Sequence, residues 1–220
     1  MLTAKLTAQA GGYHLSGDLL DLEALYSSLH AICEDQSEGE RYPENLIFQL
    51  AYDVRKSRDG HRGVAKVPGF GDKPTVYRAV TLSLARALIQ FGFIIRLVRG
   101  RHLKMKHTAS VHAFGATVVE ALEQLKFPAP ERFLASVVES VDSWSKWPDA
   151  FVVDSLDRDF LYGQRTRAAR LKVLKRLPQD LRRDSRYAVD ALKARDDYAR
   201  QHGIASEDVG VAWPDEPPRY

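Results

Sequence analysis

The chain has 220 residues, 45% of them apolar and 28% charged, with a formal net charge of +3; such a chain can bury a sizeable core without disulfide or metal. Its one cysteine, Cys33, excludes an intrachain disulfide and a zinc site built on cysteines, and fits a reducing cytoplasm. The small net charge hides strong segregation: residues 1–50 carry −6, 51–110 carry +10, 111–162 carry −5 and 163–220 carry +4, blocks that can pair with one another or recruit an outside partner.

Met1 to Leu6 lack the apolar run of a secretory signal. Residues 2–7 and 12–16 alternate in character around a turn containing Gly11, which predicts a short hairpin. Asp18 reads as a helix N-cap with Asp21 in the place of the capping-box acid, and Leu22, Leu25, Tyr26, Leu29 and Ile32 follow at helical spacing, so 19–33 is an amphipathic helix. An acidic loop, Glu34 to Glu40, leads to a second helix. Pro43 suits its first position, Leu46, Ile47, Leu50, Ala51 and Val54 line one face, and Arg55, Lys56 and Arg58 precede the stop at Gly60.

Gly63–Val67 and Thr75–Leu82 read as strands joined by Pro68 to Asp72, and Ser83 as the cap of an apolar helix ending at Arg99-Gly100. The run Ala79–Val98 matches the roughly 20 residues of a membrane span, but Arg86 near its middle favours a buried core helix. After residue 107 the patterns are helical only. One stripe runs from Val111 to Leu125 and another from Phe133 to Trp144; further helices are expected near 166–177 and 180–202, with Pro178 between them. The fold class is therefore α+β, predominantly helical, with a small antiparallel sheet near the N-terminus packed on helices. We divide the chain into an α+β part (1–107), a helical part (108–205) packed on the first, and an extended tail (206–220).

The stretch Gly11-Gly12-Tyr13-His14-Leu15-Ser16-Gly17-Asp18, then Leu22 to Tyr26, and later Tyr52-Asp53-Val54-Arg55, resembles the start of an uncharacterised bacterial family defined only as a domain of unknown function. The similarity continues through Val76-Tyr77 to the helix ending near Arg96, so it covers roughly the first 97 residues. The resemblance implies a bacterial origin and assigns no activity.

Two basic clusters are the leading functional candidates. Arg55, Arg58 and Arg62 form one, with Lys56 beside them; Arg96, Arg99, Arg101, Lys104 and Lys106 form the other. Brought together they would neutralise several phosphates, with Tyr77 and Phe70 placed to stack on bases. The competing explanation is that the acidic blocks satisfy these charges inside the fold. The basic end from Arg165 to Arg200 is a further candidate, although its cations do not form one tidy stripe in the sequence. Trp144 continues an apolar stripe, while Trp147 and Trp213 suit an interface.

A helical, metal-independent ribonuclease would place four to six residues between an arginine and a following histidine, the pair orienting phosphate and moving a proton. Arg195 and His202 resemble that pair, and Arg55–His61, Arg96–His102 and Arg101–His107 repeat the spacing, close to chance in so arginine-rich a chain. Asp149, Asp154, Asp157 and Asp159 crowd one stretch but lack the pattern of a calcium loop; they suit a solvated face or a dock for the basic helix that follows. Gly69-Phe70-Gly71-Asp72 is a weak echo of a phosphate loop, and Cys33 lies on an apolar face. No nucleotide loop, nucleophile elbow or zinc-protease motif is present.

These readings converge on a non-catalytic accessory or interaction protein of the bacterial cytoplasm that uses basic surfaces. Its expected partners are nucleic acid, an acidic protein or a second copy of the chain; no membrane, metal or cofactor is expected. The alternative is the endoribonuclease on Arg195 and His202.

Overall fold

Short alternating segments around a tight turn make the first two strands. β1 (Thr3–Leu6) and β2 (Gly12–Gly17) pair antiparallel, with Ala4 opposite Leu15 and Leu6 opposite Tyr13. This computed structural model describes residues 1–33, 41–67, 75–99, 101–163, 166–215, 218 and 220. The acidic loop 34–40, the 68–72 connection with Phe70, Gly100 and Arg165 lie outside the described residues. β4 (Thr75–Ser83) pairs antiparallel with β2 on one side and with β3 (Gly63–Val67) on the other, giving the order β1-β2-β4-β3.

Tyr13 opposes Leu82 and Leu15 opposes Val80, so these four side chains share one sheet face, and all are buried. The helices behind them begin as the sequence predicts. α1 (Leu19–Cys33) opens on a reciprocal capping box: Asp21 N–H donates to Asp18 Oδ1 at 2.8 Å, and Asp18 N–H donates to Asp21 Oδ2 at 3.2 Å. α2 (Arg41–Arg58) starts two residues before Pro43, which sits in the first turn where a missing N–H costs little. It closes where Gly60 takes φ +82°, while Gly60 N–H donates to Ser57 O and His61 N–H to Lys56 O. That is a Schellman stop.

α3 (Leu84–Arg99) follows β4 without a loop and is the most buried helix of the sheet-bearing part. α4 (Met105–Gln124) covers the free edge of β1. Glu120 accepts from Ala4 N–H at 2.9 Å, Gln124 accepts from Leu6 N–H at 2.7 Å, and the Gln124 amide donates to Ala4 O at 2.8 Å. Side chains thus satisfy an edge that would otherwise invite another strand.

Beyond α5 (Pro130–Asp142), two readings need correction. Residues 149–159, an acidic stretch for which no helix is predicted, form α6 (Ala150–Arg158) and the start of a π-helical turn (Asp159–Gly163). Asp149 caps that helix by accepting from Phe151 N–H at 2.9 Å, and Val152, Val153 and Leu156 face the core. α7 (Arg167–Leu181) continues through Pro178, and α8 (Arg186–His202) starts six residues later than expected. Leu177 and Leu181 are buried, and Leu181 O accepts from Trp144 Nε1 at 2.8 Å. Packing of that last turn outweighs the hydrogen bond that the proline removes.

One continuous hydrophobic cluster runs from Leu2 to Ala188. The tail holds a single short 3₁₀ turn (Ser206–Asp208), and its Tyr220 packs back on the cluster. Among the described residues no helix is long and apolar enough to cross a membrane.

The close packing of β2 on β4 has a test. A Cβ at Gly12 would lie 2.2 Å from the Leu82 carbonyl oxygen, whereas one at Gly63 meets nothing nearer than 3.7 Å. Gly12→Ala is expected to lower unfolding stability by about 1–3 kcal/mol, and Gly63→Ala by no more than about 0.5 kcal/mol; urea midpoints of the two variants check the contrast.

Candidate functional site

Most arginines of the first basic block meet partners inside the protein. Arg58 pairs with Glu23 at 2.5 Å and with Asp59 at 2.8 Å, and Arg62 with Asp53 at 2.6 Å. Arg99 meets Asp142 at 2.8 Å, while Arg96 donates to the Val141 and Trp144 carbonyls and lies 4.5 Å from the Trp147 ring centre. Arg101 donates to the Ile32 carbonyl, and Arg55 rests on the Tyr52 ring. Lys104 and Lys106 stay exposed at the start of α4.

The proposed nuclease pair is similarly engaged. Arg195 donates to Asp149 at 2.6 Å and to Asp196, and His202 Nδ1 lies 2.9 Å from the Tyr198 carbonyl with its ring stacked on Tyr198. Seven residues apart, the two side chains stand about 10 Å apart along the helix axis, with no hydrogen bond between them among the described residues.

A cleft of about 720 Å³ is bounded by α2, β4, α3, α6 and the tail. Its floor is an ion cluster. Asp157 is buried, with only 4% of its side chain exposed, and accepts from Ser83 Oγ and from Arg86 Nε, the latter at 2.8 Å. Arg86 also donates to Asp154 and, at 2.6 Å, to Gln49 Oε1. Burial pushes the Asp157 carboxyl above its ordinary range, against the pull of Arg86 and the Ser83 hydrogen bond; Asp154 is raised for the same reason. Aromatic rings wall the cleft: Phe48 and Tyr52 from α2, Tyr162 from the π-helical turn, and Trp213 and Tyr220 from the tail. Trp213 meets Tyr162 edge-on at 6.0 Å and lies 5.8 Å from the Arg86 guanidinium.

This cleft escaped the sequence reading because its parts are scattered from residue 45 to residue 220. One signal was available: Arg86, placed in an apolar helix, demands a buried counter-charge. The acid stretch at 149–159 supplies it. Among the described residues, no group of three or more His, Cys, Asp or Glu is arranged to hold a metal ion.

A second feature is a cationic ridge. Lys172, Lys175 and Arg176 stand exposed at i, i+3 and i+4 on α7, so they share one face, and the exposed Arg182, Arg183 and Arg186 follow across the turn into α8. The cations that looked dispersed in the sequence are gathered by the helix. Their ion pairs, Arg176–Asp180, Arg182–Asp184 and Arg186–Asp190, have arginines 69%, 52% and 95% exposed, pairs worth about 0–1 kcal/mol.

A domain of unknown function, DUF6904, matches residues 2–217. The chain belongs to the DUF6904 family. The match runs through the helical half, past the first 97 residues that the sequence motifs cover, so the ridge and all of the cleft lining except Pro218 and Tyr220 lie within this DUF6904 domain. Neither a curated protein nor a solved structure matches the chain.

Burial of Asp157 gives a pH dependence of known sign. With its folded pKa raised above the ordinary 3.8, the native state holds the proton more tightly than the unfolded chain, so this group's contribution becomes less favourable as pH rises from 3.8 to the folded value. The stability of the native protein minus that of Asp157→Asn is therefore expected to fall as pH rises through that window. Urea unfolding across pH measures it; a difference that grows with pH would mean that the Arg86 pairing outweighs burial.

Proposed function

We propose that the protein is a non-catalytic accessory protein of the bacterial cytoplasm that engages a polyanionic partner, nucleic acid or an acidic protein surface, through its basic face. The ridge on α7 carries this reading. Among the described residues Lys172 and Lys175 have no acidic partner, and Arg182 and Arg186 hold exposed pairs that a polyanion can displace, while Arg176 keeps its own guanidinium exposed beside the buried Asp180. Arg58, Arg62, Arg96 and Arg99, by contrast, already hold carboxylates; Lys66, Lys104 and Lys106 are exposed lysines of that first block. A ribonuclease on Arg195 and His202 has weaker support, because Arg195 would have to leave Asp149 and Asp196 before it met a phosphate.

Anisotropy titrations of labelled single- and double-stranded DNA and RNA across a salt series test the proposal, with poly-glutamate as a protein-like polyanion and RNA integrity checked on a gel. The native protein is expected to bind at low salt and leave RNA intact. In Lys172→Glu/Lys175→Glu/Arg183→Glu the slope of log affinity against log salt on duplex DNA should fall by about 2–3, since each lost phosphate contact contributes about 0.9. Binding of poly-glutamate alone would assign a protein partner. Unchanged affinity in the triple variant, or no binding to any polyanion at low salt, overturns the proposal.

A further inference from the structure

The aromatic cleft is chemically unlike the ridge and needs its own explanation. Three features define what would fit it. Its volume of about 720 Å³ falls in the roughly 300–1,000 Å³ range of small-molecule sites. Its walls are aromatic, and Trp213 already lies against one cation, the Arg86 guanidinium. Its floor sets two carboxylates, Asp154 and Asp157, against the single guanidinium of Arg86.

That last point decides the ligand class. Asp157 is buried, yet each carboxylate oxygen takes a single hydrogen bond, from Ser83 and from Arg86, and retains acceptor capacity. Gln90 lines the cleft at only 3% exposure; its amide donates to Leu46 O at 3.0 Å, and its Oε1 has no partner among the described residues. Arg86 directs its three nitrogens into Asp157, Gln49 and Asp154, so its one positive charge is outweighed by two carboxylates. The one proton of Ser83 is likewise committed to Asp157. An acceptor that opens onto the cleft without a protein donor is left to water, and a ligand that supplies N–H groups can take that water's place.

We propose that this cleft is a binding site for a small molecule with a protonated nitrogen head, an amidinium or a primary ammonium, on an aromatic or apolar body. The head donates to Asp157 and Gln90 on the floor. The body lies among Tyr52, Tyr162 and Trp213. Anionic ligands are disfavoured, because they would add negative charge beside Asp154 and Asp157, which already outnumber Arg86.

Benzamidinium, benzamide and benzoate, alike in shape and different in charge, test this by calorimetry and tryptophan fluorescence on the full chain. Benzamidinium is expected to bind saturably with a dissociation constant of about 1 mM or tighter, ahead of benzamide and at least about tenfold ahead of benzoate. Trp213→Ala should weaken it by roughly fivefold through loss of one cation–π face, and Asp157→Asn should weaken it further. Should the buried Asp157→Asn not fold, Tyr52→Ala, at a half-exposed position, replaces it. No saturable benzamidinium binding, equal binding of benzoate, or full affinity in Trp213→Ala would each overturn the assignment. None of these outcomes bears on the polyanion reading, which rests on a different face.

Discussion

The structure depends on matching one guanidinium. Arg86 stands on α3 among Leu84, Ala85, Ala87 and Leu88, all buried, and a charge in such surroundings must be paired or the helix cannot dock. The protein pairs it three ways, with Asp157 and Asp154 of α6 and Gln49 of α2. Those contacts bring α2, α3 and α6 to one point at the end of β4, where Ser83 completes the cluster. An aspartate-rich segment that would otherwise favour solvent is thereby drawn into a helix. The cleft is what remains above that cluster once the three helices have met.

The same rule accounts for the charge blocks. Glu23 and Asp53 of the N-terminal half take Arg58 and Arg62; Asp142, Asp149, Asp154 and Asp157 of the second acidic block take Arg99, Arg195 and Arg86. Segregation along the chain becomes neutralisation across it. What survives at the surface are cations that packing turns outward, such as those of α7 and the turn after it. α7 is the clearest case: its inner face is fixed by Leu174, Leu177 and Leu181, which forces Lys172, Lys175 and Arg176 outward together.

Local signals were legible from the sequence wherever they were sufficient. The hairpin, the Asp18–Asp21 box, the stop at Gly60, the two further strands and the long apolar helices follow from alternation, caps and helical spacing, and a family of unknown function was visible in the N-terminal motifs. α6 was not legible, because nine residues with three charges carry too little periodicity to predict a helix. Pro178 misled for a related reason: its cost is local and visible, whereas the burial of Leu181 that offsets it depends on Trp144, far away in the chain. The cleft combines both difficulties. Only Arg86 announced it, and its announcement named a need without naming the partner.

The π-helical turn shows how closely the two candidate surfaces are joined. One wide turn after α6 reverses little of the chain's direction but changes which side chains face where, a geometry often found at functional positions. It sends Tyr162 into the cleft wall and leaves the Leu161 carbonyl accepting from Arg170 of α7 at 2.9 Å. Arg170 is fully buried and donates also to Gln9 O in the β1–β2 turn at 3.0 Å, and burial holds its pKa below the usual arginine range. A guanidinium so enclosed keeps its place only while those carbonyls keep theirs. The helix that carries the cationic ridge is therefore tied by one side chain both to the β1–β2 turn and to the segment walling the cleft.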